Sequence, residues 1–278
     1  MRIGLAVKGR ANPKTLEKLA LKAEELGYDY FLLTDHYMQP NWNGHPEAWT
    51  FLAYLAAKTE RIRLGTCVSP LPLRSPATFA KTIATLDNLS NGRVILGAGY
   101  GWYKPEFDAF STWLESPERI AYSREALDVM LKLWNGKEPL DFAGRIKGTG
   151  IVVEPKPVQK PHPPIWWGGH LSQSLRTAGT VADGWMPIGP RWFDESYPRP
   201  EQYAKMHDAI GEFLEKRGYP EKNFAFTTLI SMTDVTTLRK DIGHYVDAGM
   251  NHFTLGHNVP DEGALKDVEV VMREIGGS

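Results

Sequence analysis

Cysteine is nearly absent: Cys67 is the only one in 278 residues. A single thiol forms no internal disulfide and no thiolate metal cluster, and its scarcity fits a reducing compartment. Long apolar runs are also missing. No stretch approaches the ~18 residues of a membrane span, and Lys8 and Arg10 interrupt the apolar start where a secretory leader would continue. The expectation is a soluble, cytoplasmic protein. Neither sign of charge is in excess: Lys plus Arg number 32 against 33 Asp plus Glu, a formal net charge of -1. Nucleic acid and anionic membrane are therefore not expected partners. What is present is an ordinary globular composition, 42% hydrophobic and 23% charged, which excludes disorder and collagen-like order. Nine tryptophans are many for this size, and such rings suit both cores and ligand pockets.

Apolar periodicity divides the chain into alternating strands and helices. Ile3 to Val7 reads as a strand; Asn12-Pro13 then offers a cap and a first-turn proline, and apolar residues recur at helical spacing from Leu16 to Gly27. Further strands are predicted at Tyr30 to Thr34, Ile62 to Thr66, Val94 to Gly97, Pro164 to Trp167, Gly184 to Ile188, Phe224 to Ser231 and Asn251 to Leu255. Helices are predicted at His45 to Lys58, Pro76 to Leu89, Pro117 to Trp134, Ser172 to Ala182, Pro200 to Arg217, Thr236 to Ala248 and Asp261 to Ile275. Eight strand-helix units of roughly 35 residues predict an α/β fold, a single (β/α)8 TIM barrel. An open doubly wound sheet is the alternative, but its Gly-x-Gly-x-x-Gly turn is missing after the first strand, where the chain reads Val7-Lys8-Gly9-Arg10-Ala11. The excess length falls between strands four and five and predicts a rim insertion around 103–163.

In such a barrel the active site lies where the strands end. The residues there are Asp35-His36, Cys67-Val68-Ser69-Pro70, Gly97-Ala98-Gly99-Tyr100-Gly101-Trp102, Gly168-Gly169-His170 and Trp185-Met186-Pro187. An imidazole at a strand end can exchange protons near neutral pH. Gly99-Tyr100-Gly101 permits close backbone approach to a flat ligand, with Trp102 and Tyr103 as walls. Gly168-Gly169-His170 runs into a helix, so bare amides and a positive helix end suit a phosphate; a plain tight turn is the alternative. No metal is expected: the first strand ends without His-x-His, and no histidine pair has ligand spacing.

Spaced motifs carry a resemblance. Gly27-Tyr28-Asp29 leads into Asp35-His36; Arg61 to Thr66 and Thr85 to Arg93 follow; then come Gly97 to Trp102 with Glu106-Phe107, Pro155 to Pro161, Pro164 to Gly169, and Ala182 to Trp185. In this order, over about two-thirds of the chain, they resemble the luciferase-like monooxygenase superfamily and more closely its branch using the deazaflavin coenzyme F420. The resemblance implies one luciferase-like barrel domain over 1–278, a small-molecule substrate and a homodimer or higher homo-oligomer. It implies an oxidoreductase moving a hydride between F420 and an organic substrate. An FMN-dependent monooxygenase and a non-catalytic flavin- or F420-binding barrel are the alternatives.

Carried over residue by residue, the resemblance implies His36 as the proton-handling group and Asp35 as a cofactor contact. Thr66, Cys67 and Val68 match a bulge, with a non-proline cis peptide in relatives, pressed against the cofactor's middle ring. Gly99, Tyr100, Gly101 and Trp102 would also hold the cofactor, and Gly168, Gly169 and His170 its phosphate-bearing chain. Glu106 is a further catalytic candidate, with a supporting or helix-capping carboxylate as the alternative. Relatives that oxidise sugar phosphates or secondary alcohols carry Glu directly after the Gly-x-Gly, where this chain has Trp102, so those reactions are not expected. Trp42, Trp185 and Trp192 lie on strand-end loops as candidate substrate walls, although rim packing serves equally well for Trp192.

Overall fold

Strand β1 (Arg2–Val7) pairs in parallel with β8 (His252–His257), from Arg2 opposite His252 to Val7 opposite His257, and this pairing closes a ring. The other staves are β2 (Tyr30–Leu33), β3 (Arg63–Thr66), β4 (Val94–Gly99), β5 (Ile165–Gly168), β6 (Gly184–Met186) and β7 (Ala225–Ser231). Each pairs in parallel with its neighbours in chain order, so the computed structural model is a TIM barrel. It describes residues 1–7, 12–38, 45–189, 197–231, 234–257 and 262–276.

Eight helices follow the strands: α1 (Pro13–Leu26), α2 (Ala48–Ala56), α3 (Pro76–Leu89), α4 (Ser116–Asn135), α5 (Ser172–Val181), α6 (Pro200–Lys216), α7 (Val235–Asp247) and α8 (Glu262–Ile275). Local chemistry sets several ends. The Asn12 side chain accepts from the Thr15 amide at 3.0 Å, Pro13 occupies the first turn, and Gly27 closes α1 at φ +87°. Asp234 caps α7 in the same way through the Thr237 amide, at 2.9 Å.

Side chains alternate across each stave, which gives two cores. Leu5, Phe31, Leu33, Leu96, Trp167, Phe226 and Leu255 face the helices. Ala6, Tyr30, Leu32, Ile95, Trp166, Met186 and Leu229 fill the barrel. Glycines admit the largest interior rings: a Cβ on Gly4 would lie 1.7 Å from the Tyr30 ring, and one on Gly184 2.5 Å from Trp166.

Between β4 and β5 the chain adds a short helix (Lys104–Phe110) and an antiparallel hairpin (140–143 with 147–151) around α4. The sequence pattern there shows α4 alone, because both additions are half-exposed and lack a long apolar stripe. Two further expectations shift. Helix α2 starts at Ala48 rather than His45, capped by the Glu47 carboxylate on the Thr50 amide at 2.7 Å. Strand β6 ends at Met186, and Ile188 keeps only an isolated bridge to Leu229. Among the described residues, no helix is long and apolar enough to cross a membrane.

Candidate active site

At the C-terminal ends of the staves lies a cavity of ≈ 500 Å³. One wall is the turn after β3, where the Cys67–Val68 peptide is cis and both residues line the cavity. The Val68 side chain fits a hollow left by three glycines on two neighbouring staves. An added Cβ would lie 2.7 Å from it at Gly99, 3.0 Å at Gly168 and 3.4 Å at Gly97. Glycines from two separate sequence motifs thus act together, letting a branched side chain stand beside the cavity without closing it.

Next to this wall stands His36, whose Nδ1 is 2.9 Å from Glu106 Oε2. Glu106 is fully buried on the short helix, and its Oε1 also accepts from the Tyr37 amide and from the Met38 amide at 3.2 Å. The carboxylate therefore holds both the imidazole and the loop that bears it. In the tautomer with its proton on Nδ1, the imidazole donates to this carboxylate, and Nε2 is the ring nitrogen on the far side from Glu106. Glu106 does not line the cavity; it lies behind His36, which does.

Gly99, Tyr100, Gly101 and Trp102 line the side next to His36. Gly101 sits at φ +78°, and a Cβ there would lie 2.5 Å from the Phe107 ring, so this turn needs glycine. The Tyr100 hydroxyl is 2.7 Å from Thr177 Oγ1 and donates to the Gln173 carbonyl at 3.1 Å, tying this loop to α5. Burial raises the Tyr100 pKa above its ordinary value, so the phenol stays neutral. Across the cavity, Gly168, Gly169 and His170 lead into α5. Gly169 adopts φ +102°, and the N-cap position holds Leu171, which supplies no side-chain oxygen to the first amides.

Three expected contacts lie elsewhere. Asp35, 2% exposed, points away from the cavity because its neighbours Thr34 and His36 take the inward positions. It pairs with Arg74 at 2.7 Å and accepts from Ser69 Oγ at 2.5 Å and Trp49 Nε1 at 3.2 Å. Burial is the largest single influence on the Arg74 pKa and lowers it, but the charge and hydrogen bond of Asp35 together with Tyr37 and Glu47 outweigh it and hold the pKa above its ordinary value. Thr66 is buried behind the Cys67 turn, bonded to the Gly97 carbonyl at 2.9 Å and to Ser69 Oγ at 3.0 Å. Trp185 faces outward on β6, its ring centroid 4.8 Å from that of Tyr203, while its indole N–H donates to the Gly169 carbonyl at 2.7 Å. It braces the glycine loop from outside, and Met186 takes the inward position. Trp42 and Trp192 lie outside the described residues.

Sequence reasoning placed Met186 at a strand end without a role and missed Ile188 and Leu229; all three line the floor, with Ser174 and Leu171 at the α5 end. Period-two alternation along β6 and β7 is the signal that marks the first three.

The chain belongs to the luciferase-like monooxygenase family, whose model matches residues 1–238. An F420-dependent glucose-6-phosphate dehydrogenase of Microbacterium testaceum is 33% identical over 213 residues, 74% of this chain and 60% of that protein. An FMNH2-dependent dimethylsulfone monooxygenase of Pseudomonas putida is 33% identical over 178 residues, 62% of this chain and 48% of that protein. The chain thus spans about half to three-fifths of the length of the curated relatives it matches. A solved F420-dependent secondary alcohol dehydrogenase, in complex with an F420-acetone adduct, superposes with a TM-score of 0.87 at 20% identity, covering 99% of this chain and 98% of its own.

Proposed function

We propose that this chain is an F420-dependent oxidoreductase that moves a hydride between the deazaflavin and a small organic substrate. The observation that carries the reading is the joining of two features in one cavity: the Val68 wall set among Gly97, Gly99 and Gly168, and His36 held by a buried Glu106. The residues fit the cofactor. The Cys67–Val68 wall and Tyr100 suit a flat ring system, and the Gly168–His170 turn with the first amides of α5 suits the phosphate of its side chain. When bound, F420 supplies a ring carbon that gives or accepts a hydride.

The chain's own part is positional and protic. His36 Nε2 gives a proton to the substrate, or takes one from it, as the hydride moves in the matching direction. Glu106 keeps the imidazole in the tautomer and orientation this requires. Asp35 and Arg74 hold the base of the same loop. Under the same reading the protein works in the cytoplasm as a homodimer or higher homo-oligomer, which rests on the single cysteine and on the family resemblance.

A second reading, an FMN-dependent monooxygenase, is favoured by the similarity to the Pseudomonas putida enzyme. An anaerobic assay of reduced F420 with enones, imines and ketones, and of oxidised F420 with alcohols, tests hydride transfer directly. In that assay His36→Ala should lower kcat by about 100-fold or more with F420 affinity changed by less than about tenfold. Glu106→Gln should lower kcat by about 10- to 100-fold and shift its pH profile, because the anchor of Nδ1 loses its charge. Full activity of His36→Ala would remove this residue from the chemistry.

A further inference from the structure

Trp102 is a large apolar side chain left 58% exposed at the mouth of an apolar cavity. Its ring centroid is 6.0 Å from that of His36, edge to face, and Tyr103 backs it at 5.4 Å. Its place is fixed by the same turn that fixes the proton-handling pair. Gly101 precedes it in the left-handed region against the Phe107 ring, and Phe107 adjoins Glu106 on the short helix. The indole presents an apolar face, and the face of its π system is electronegative. Such a face attracts apolar or positively polarised groups and repels a phosphate dianion. Met186, Ile188 and Leu229 add apolar lining to the same cavity.

We propose that Trp102 is a specificity-determining residue: it selects an uncharged, apolar-bodied carbonyl compound over a phosphorylated sugar. The body of the substrate lies against the indole and the Met186–Ile188–Leu229 floor, and its oxygen meets His36. The inference deepens the proposed hydride transfer and rests on that reading for the role of His36, but the recognition itself is a property of this chain's side chains.

Two measurements separate the failures. Saturation-transfer NMR of 2-cyclohexen-1-one with the protein, without and with oxidised F420, reads binding without turnover. The parent should transfer saturation to the ring protons and Trp102→Ala should lose most of it, with Trp102→Phe restoring part, while glucose 6-phosphate shows none with the parent. In the anaerobic assay, Trp102→Ala should raise KM for the enone by about tenfold or more and change kcat less. Equal saturation transfer in parent and Trp102→Ala, or stronger transfer to glucose 6-phosphate than to the enone, overturns the proposal whatever the cofactor. Loss of F420 binding by the parent, with the NMR result intact, overturns the cofactor reading and leaves the selectivity of Trp102 standing.

Discussion

His252 shows how one buried imidazole differs from another. It sits on the inward side of β8 near the N-terminal ends of the staves, far along the barrel from His36, with the rings of Tyr30 and Trp166 beside it. Burial, followed by the charge of Arg2, pushes its pKa down from the ordinary 6.5 to about 4, and nearby Asp29 only partly opposes this. The unfolded chain therefore takes up a proton near pH 6.5 that the folded chain refuses until about pH 4. Its contribution is complete above pH 6.5 and is lost as pH falls toward 4, by up to about 3 kcal/mol. Urea unfolding at pH 4.5 and pH 7.5 checks this: the parent should lose more stability at the lower pH than His252→Gln does. Equal losses would contradict the assignment. At this scale the sequence named His36 and Glu106 but could not pair them, since 70 residues separate them in the chain.

Among the elements, β3 and β4 approach more closely than any side chain between them would allow. A Cβ on Gly97 would lie 1.7 Å from the Thr66 carbonyl oxygen, and one on Gly65 2.2 Å from that of Ile95; both obstacles are backbone. Gly243, in the middle of α7, has no heavy atom within 4 Å of such a Cβ. Thermal or urea unfolding should show Gly97→Ala destabilised by about 3 kcal/mol or more, or failing to fold. Gly243→Ala should be stabilised by about 0.5–1 kcal/mol, the ordinary helix preference. A mild effect at Gly97 would contradict the close approach. Several motifs behind the family resemblance prove structural at this scale. Arg93 donates to the carbonyls of Ala56, Thr59, Ile62 and Ser90, joining the ends of α2 and α3 to the start of β3. The Gln159 backbone and side chain both donate to Asp87, at 2.9 and 2.7 Å, which docks the proline-rich stretch on α3. Recognition by motif therefore read scaffold and site together and could not sort one from the other.

For the whole molecule, regular strand-helix alternation made the barrel legible, because each unit must bury an apolar strand and one helix face in the same way. The hairpin and short helix were not legible, having little apolar pattern, yet the short helix carries Glu106, the carboxylate that meets His36. Tryptophan count misled at Trp185, where direction along the stave, not ring size, decides what faces the cavity. Everything proposed for the chemistry depends on this cavity accepting a deazaflavin that carries a phosphate. Titrating the purified protein with F420, with FMN and with riboflavin, which lacks the phosphate, and following cofactor fluorescence tests that most directly. The proposal predicts F420 binding with a Kd near or below about 1 μM, equivalent to about -8 kcal/mol, with FMN at least about tenfold weaker and riboflavin weaker still. Preference for FMN over F420, or binding of neither, would contradict it.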